Sequence, residues 1–490
     1  MKALKKLSGE TVIYGLPTIF GRLLNWCLNP YWTYVFINQE ELGKVSYVYA
    51  VVAFLLVFLI YGMETGFFRF ASKEENKDKV FSTSLFSICS TSLIFLLLVF
   101  LFKDSFADML KISGRSDFVV IMGITVFFDI ITSIPFAKLR IQHRPIKFAT
   151  LKFLSIGINI FFNLFFLSFC PFILKSNPDS FLNIIYHANF GIGYIFLSNL
   201  IASVFTFILL IPEFRVKFNF DFQLFKRMFR YSYPILIVGI TGFVNQNIDK
   251  ILIPNLLDEA SNPMKQLGIY VSAFKLAVLL NVFIQAFRFA FEPFIFSQKE
   301  GKESKDMYII VMKYFSILGL IIFLGMSTFS DLIMNINAKG YREAVGVIPI
   351  ILLANFFMGI FFTQSLWYKL TDKTIYGAYF GIIGSVITIL LNVILIPIIG
   401  YYGSAIAILV CFIVMTVISY IVGHKYYPIN YDLKSFGFYL SVSLFLFSIY
   451  WFFRTSDSPH YLLAVILNII FLVIIFLREK NDFIKILKTN

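Results

Sequence analysis

Charge is scarce in this chain. Asp, Glu, Lys and Arg make up 14% of its 490 residues, against roughly 25% in a soluble globular protein. A soluble enzyme of this length needs a charged skin that is not here, and a disordered chain needs low hydrophobicity. Histidine and cysteine are rare too, at four each. His143, His187, His424 and His460 are scattered without metal-ligand spacing. Cys27, Cys89, Cys170 and Cys411 sit in apolar runs and read as packing residues. No glycine-rich phosphate loop, HExxH or Ser–His–Asp arrangement occurs, so neither an enzyme nor an ATP-driven pump is expected. No cofactor or metal is expected beyond a coupling H+ or Na+. Long polar segments are also missing, so no soluble domain fits between the apolar runs.

What is abundant is apolar. Hydrophobic residues make up 59% and aromatic residues 19%, with 62 Phe and 26 Tyr, and mean hydropathy is +0.81. A spanning helix needs about 20 mostly apolar residues. Fourteen stretches qualify: 12–36, 45–68, 80–102, 117–137, 148–172, 190–212, 230–254, 267–296, 307–329, 344–368, 375–398, 402–423, 433–453 and 461–477. Lys2, Lys5 and Lys6 precede the first, and no small-residue cleavage site follows it. This start reads as a first span rather than a removable signal.

The net charge of +14 suggests nucleic acid in a soluble protein. Here it reads as topology. With the N-terminus inside, 28 of the 42 basic residues fall in cytoplasmic segments, 9 in outer loops and 5 within spans. That bias predicts both termini in the cytoplasm and no nucleic-acid partner. The densest inner loops are Lys138–Lys152 and Arg215–Arg230.

The chain reads as a duplication. Gly15-Leu16-Pro17 opens one helix and Ser232-Tyr233-Pro234 another. Leu42-Gly43 with Tyr47 matches Leu267-Gly268 with Tyr270, and Asn163 ahead of Gly191 and Gly193 matches Asn392 ahead of Gly400 and Gly403. The expected division is residues 1–212, 213–430 and a C-terminal helix pair at 431–490. Six-helix halves that start on the same side are parallel repeats about an axis along the membrane normal, and such a pair encloses a cavity.

Four segments then carry a resemblance. They are Tyr61-Gly62-Met63-Glu64-Thr65-Gly66-Phe67-Phe68-Arg69-Phe70; Leu139-Arg140-Ile141-Gln142-His143-Arg144-Pro145-Ile146-Lys147-Phe148-Ala149; Lys369-Leu370-Thr371-Asp372-Lys373-Thr374; and Asn392 through Ile396-Pro397 to Gly400-Tyr401-Tyr402-Gly403-Ser404-Ala405-Ile406-Ala407. In this order the chain resembles the polysaccharide-biosynthesis and O-antigen flippases (Wzx type). Their exporter superfamily also holds the multidrug MATE transporters and the lipid II flippases. The resemblance covers essentially the whole chain. It implies an all-α polytopic fold of two six-helix lobes, in a MATE-like V around a central cavity, plus two extra C-terminal helices. It also implies an activity: an undecaprenyl-diphosphate-linked oligosaccharide crosses the bacterial cytoplasmic membrane by alternating access. The implied partners are that lipid-linked glycan, membrane lipids, and the polymerase and chain-length machinery.

Ionisable groups inside spans cost roughly 2.5–3.5 kcal/mol each on insertion scales, so each needs a cavity or a partner. Thr18, Arg22, Asn25 and Asn29 share one face of the first helix, at i, i+4, i+7 and i+11. Arg22 suits a diphosphate, because its fork can bond two phosphate oxygens; a structural pair with Glu64 or a helix carbonyl is the other reading. Asn281, Gln285, Arg288 and Glu292 repeat the spacing. Arg288 and Glu292 can pair along the helix or serve the inner mouth, and Lys275 lies nearer the outer side. Asp249 can hold a coupling cation or pair with Lys250 or Lys275. Glu64 reads as a gate or interhelical salt bridge. Asp129, on a face with Thr125 and Thr132, is a proton or sodium carboxylate or a partner of nearby hydroxyls. Lys313 is expected to snorkel. Setting local pairs aside leaves Arg22 and Lys275 as the excess cations, which tilts toward an anionic cargo. A MATE-type drug or metabolite antiporter coupled to a cation is the alternative. A polymerase or ligase needs a large outer loop that this chain lacks.

Overall fold

The computed structural model describes the backbone of residues 2–74, 76–216, 219–296, 302–454 and 460–489, and their side chains except at 2–13, 16, 18, 22, 25, 289–304 and 481–489. Among these residues there are helices and no strand. Lipid offers no hydrogen-bond partner, so a chain this apolar must satisfy its backbone within each segment, and an open helix does that. The first half contains α1 (Lys2–Val35), α2 (Gln39–Ile60), α3 (Met63–Ala71), α4 (Lys77–Leu101), α5 (Lys103–Met109), α6 (Ser116–Ile141), α7 (Pro145–Leu164), α8 (Cys170–Ser176), α9 (Leu182–Ile185), α10 (Gly193–Leu210), α11 (Phe222–Asn247) and α12 (Asp249–Leu256). Then come α13 (Pro263–Ala277), α14 (Leu279–Phe296), α15 (Lys302–Thr328), α16 (Ser330–Met334), α17 (Val347–Gln364), α18 (Leu366–Leu370), α19 (Ile375–Ile399), α20 (Tyr401–Tyr426), α21 (Leu433–Phe453) and α22 (Tyr461–Thr489).

The protein is a multi-pass, all-α membrane protein. Among the described residues 11 helices are long and apolar enough to cross a bilayer, or 13 if each of two bent pairs is one span. These counts neither confirm nor contradict the expected fourteen, since they cover the described residues alone. α1 covers the first expected stretch, and most side chains in its first half lie outside those described. The expected continuous helices at 230–254 and 267–296 are both broken. α11 and α12 meet at 57°, and α13 and α14 at 40°. Hydropathy missed the breaks because both arms of each pair stay apolar. By its packing the chain forms two units, Met1–Gly268 and Ile269–Asn490.

Two of the residue pairs singled out in the sequence share local geometry. Gly191 and Gly400 both take positive φ, at 50° and 61°, one at the entrance to α10 and the other just before α20. Only glycine adopts this conformation freely. Asn163 and Asn392 are fully buried. Each donates to the carbonyl four residues back, Asn159 at 2.8 Å and Thr388 at 2.7 Å, and each accepts from another helix. The donors are Trp32 Nε1 at 3.2 Å and Ser404 Oγ at 2.7 Å. A buried amide in an apolar core is tolerated when its polar atoms are paired in this way.

α2 turns into α3 through Tyr61 and Gly62, both at positive φ. A Cβ at Gly62 would stand 2.7 Å from the Ser232 carbonyl oxygen, so α11 packs on bare backbone there. Large apolar side chains such as Leu93, Ile94 and Leu97 of α4, and Leu390 and Ile394 of α19, are exposed, as lipid-facing residues would be.

Candidate translocation site

In the first unit the candidate groups gather on α1, α2, α3, α6, α7 and α10. The side chains of Arg22 and Asn25 lie outside the described residues. Their helix packs along α7. Tyr14 meets Phe148 edge-on with ring centres 5.3 Å apart, Phe20 meets Phe153 at 6.0 Å, and a Cβ at Gly21 would stand 3.0 Å from Ile156. Further along α1, Asn29 is fully buried, and neither of its amide atoms has a partner among the described residues.

Positions 148, 152 and 156 share a face of α7, one turn apart. Lys152 therefore lies on the α1 side, within the helix rather than in the inner loop to which the sequence reading assigned it. Its ammonium sits 4.0 Å over the Phe136 ring. It interacts electrostatically with Asp129, Glu64 and Arg140, yet no carboxylate lies within ion-pair distance among the described residues. Sequence reasoning missed this cation because it was counted with the basic loop before it. Its position eight residues into a helix that opens at Pro145 is the signal that was available.

Asp129 of α6 accepts a hydrogen bond from Ser203 Oγ of α10 at 2.6 Å and lies in the field of Lys152. Beside it runs a polar chain with no ionised member. Asn163 reaches Asn159, Asn159 Nδ2 donates to Asn199 Oδ1 at 2.8 Å, and Asn199 Nδ2 donates to Tyr49 Oη at 2.9 Å. Single amides in apolar helices give no periodic pattern, which is why Asn159, Asn199, Tyr49 and Ser203 were not singled out. Glu64 pairs with Arg140 at the end of α6, and Arg69 lies over the Tyr231 ring at 4.3 Å. Below this, Glu213 ties Arg144 at 2.9 Å and Lys147 at 2.5 Å.

Asp249 is buried at the start of α12, directly after the break, and its carboxylate meets Lys250 Nζ at 3.1 Å. The bend also separates Thr241 and Asn245, in α11, from Asp249.

In the second unit Lys275 closes α13, and Asn281, Gln285 and Arg288 follow on α14. The break at Val278 puts Lys275 on a separate helix from Asn281, Gln285 and Arg288, whose shared face lies wholly on α14. Lys275 is half-buried and engaged with neighbours. Asn281 keeps a buried Oδ1 without a partner among the described residues, and Arg288 stacks on Phe362 at 4.5 Å. Glu292, the expected partner of Arg288, lies outside the described side chains. Lys313 does not snorkel: it pairs at 2.5 Å with Glu479 of α22, which also accepts from Tyr439 Oη at 2.6 Å. The distance in sequence, from α15 to α22, hid that partner.

Comparison with known proteins places this geometry. A family model for polysaccharide biosynthesis proteins matches residues 9–298. None of the curated proteins compared with the chain matches it. Among solved structures, the lipid II flippase MurJ in an inward closed conformation aligns at TM-score 0.72 with 18% identity, over 96% of this chain and 100% of its own. An inward-facing multidrug resistance MATE family transporter of the MOP superfamily aligns at 0.65 with 14% identity, over 85% of this chain and 97% of its own. An outward-facing one aligns at 0.57 with 12% identity, over 87% and 98%. At these identities the likeness is one of fold.

Proposed function

This chain belongs to the polysaccharide biosynthesis protein family, and from that premise we propose that it is a flippase for a polyprenyl-diphosphate-linked oligosaccharide. It would act in the bacterial cytoplasmic membrane, with both termini inside, as the bias of basic residues favours. The observation that carries the reading is Lys152: a cation inside an apolar helix, on the face that meets the helix of Arg22, with no carboxylate in ion-pair contact among the described residues. Buried charge at that depth is retained for a partner, and a diphosphate supplies one. Arg22 and Lys152 of the first unit hold the diphosphate, and Lys275 and Arg288 are the cargo-binding candidates of the second unit. The amide-lined stretch from Asn29 to Asn199 offers hydrogen bonds to the sugar, and the polyprenyl tail stays in lipid.

Alternating access needs an energy source, and Asp129 is our candidate for a coupling H+ or Na+, since a serine hydroxyl is its only hydrogen-bond partner among the described residues. Asp249 is the weaker candidate because Lys250 already neutralises it. The exported repeat unit then passes to the polymerase and chain-length machinery. The test is complementation. In cells lacking the gene, Lys152→Ala at wild-type protein level should leave surface glycan at a tenth or less of normal, while Lys152→Arg restores most of it. Drug hypersensitivity with intact surface glycan would instead favour the antiporter reading.

A further inference from the structure

The second unit holds a polar cavity of about 560 Å³ that the proposed translocation residues do not touch. It lies where α16, the turn of helix at Lys339–Gly346, the start of α20 and the end of α21 converge. Its volume falls in the range of small-molecule sites, roughly 300–1,000 Å³. Two arginines hold its walls. Arg454 forks onto Asp331, with Nε and Nη2 each 2.7 Å from a carboxylate oxygen, and pins the end of α21 to α16. Arg342 clamps the loop, donating to the Asn337 carbonyl at 3.0 Å and the Asn335 carbonyl at 3.1 Å. Asp331 neutralises Arg454, Arg342 spends two of its donors on backbone carbonyls, and the lining's two arginines are balanced in number by Asp331 and Glu343, so the cavity is not a cationic trap.

Four polar side-chain groups in the lining are uncommitted. The Asn335 amide, the Glu343 carboxylate, the Tyr402 hydroxyl and the Trp451 indole N–H have no hydrogen-bond or ion-pair partner among the described residues. Trp451 is 36% exposed although it closes a membrane helix. The set combines an acceptor-only carboxylate, an amide and a hydroxyl that each donate and accept, and a donor-only indole beside aromatic rings. A polyhydroxylated ring matches all of these: its hydroxyls serve both donors and acceptors, and its C–H face lies against an aromatic ring. An anion matches less well, because Glu343 repels it and Asp331 already neutralises Arg454.

We propose that this cavity is a carbohydrate-binding site at the outer end of the second unit, which takes one or two sugar residues of the glycan. Its side of the membrane and its ligand rest on the flippase reading. α15 leaves the cytoplasm and α21 does the same, so their far ends lie outside on that topology. Such a site holds the glycan on the exit side and disfavours its return.

The test uses the full chain in nanodiscs and, as probe, the oligosaccharide released by mild acid from the producing cells' own polyprenyl-linked glycan. Binding is followed by titration calorimetry, with spermidine as a cationic control. The expected result is saturable oligosaccharide binding that weakens at least tenfold in Glu343→Gln. Gly346→Ala should weaken it as well, since a Cβ there would stand 2.7 Å from Tyr402 Oη and displace that ring. Both variants should melt within a few degrees of wild type, so lost binding is not lost folding. No saturable binding by the wild-type chain, unchanged affinity in both variants, or binding of spermidine in place of the glycan overturns the proposal. Flipping of the intact lipid-linked substrate is measured on the same preparation. Flipping without free-oligosaccharide binding refutes this site alone, and binding here without flipping refutes the flippase reading alone.

Discussion

Gly43 and Gly268 meet backbone to backbone. A Cβ on Gly43 would lie 1.9 Å from the Met264 carbonyl oxygen and 3.2 Å from the Gly268 amide nitrogen. A Cβ on Gly268 would lie 2.0 Å from the Gln39 carbonyl oxygen and 3.0 Å from the Gly43 nitrogen. Each is the glycine of a Leu-Gly pair, and small residues are what let membrane helices approach this closely. Flexible side chains can yield to an added methyl, but two backbones cannot. Gly268→Ala should therefore destabilise the purified protein by about 1–3 kcal/mol, the usual range for overpacking, read as a lower melting temperature. The same change at Gly242, where an added Cβ meets nothing within 4 Å, should leave it unchanged.

Lys313 and Glu479 make a sharper case. Glu479 is 2% exposed and its partner 18%. Removing one member of a buried pair strands the other, at about 3–5 kcal/mol. Glu479→Gln should lower the melting temperature strongly. Adding Lys313→Met should recover most of the loss, because the stranded charge is then gone. If the double variant is no more stable than the single one, the pair is not the reason for the loss.

Glu64 and Arg140 are both about a third exposed, so water screens their attraction. Their coupling in a double-mutant cycle should be about 1 kcal/mol or less. A transport defect in Glu64→Gln well beyond that thermal effect would mark the pair as part of the moving machinery rather than a staple.

Asp221 governs an acid-side response. It caps α11, accepting from the Leu224 amide at 2.9 Å, and pairs with Lys79 at 2.6 Å. Chiefly the Lys79 hydrogen bond, and then the cap, hold its carboxyl down at about 2. A folded-state value depressed below the unfolded one adds stability above about pH 4 and loses it as pH falls toward 2. Asp221→Asn should flatten the fall in unfolding temperature across that window and leave the slope above pH 5 unchanged.

The class of the protein and the order of its helices were legible in the sequence, because hydropathy and turn residues are local. Gly191 and Gly400 both take positive φ, and Asn163 and Asn392 both donate to the carbonyl four residues back. What was not legible is set by tertiary contact. The bends at Ile248 and Val278 leave apolar content unchanged. Lys152 looked like loop charge because helix α7 starts inside a basic segment. Glu479 found Lys313 across 166 residues of sequence, and the cavity beside Trp451 is assembled from four separate segments.

The most direct measurement is flipping of a fluorescent polyprenyl-diphosphate oligosaccharide by the purified chain in proteoliposomes, read as protection from an impermeant quencher. The account predicts transport by the wild-type chain, a fall of at least tenfold in Lys152→Ala and in Arg22→Ala, and near-normal rates in Lys152→Arg. Transport by Lys152→Ala and Arg22→Ala at the wild-type rate would contradict the assignment of the diphosphate to these two cations, and no transport by the wild-type chain would contradict the flippase itself.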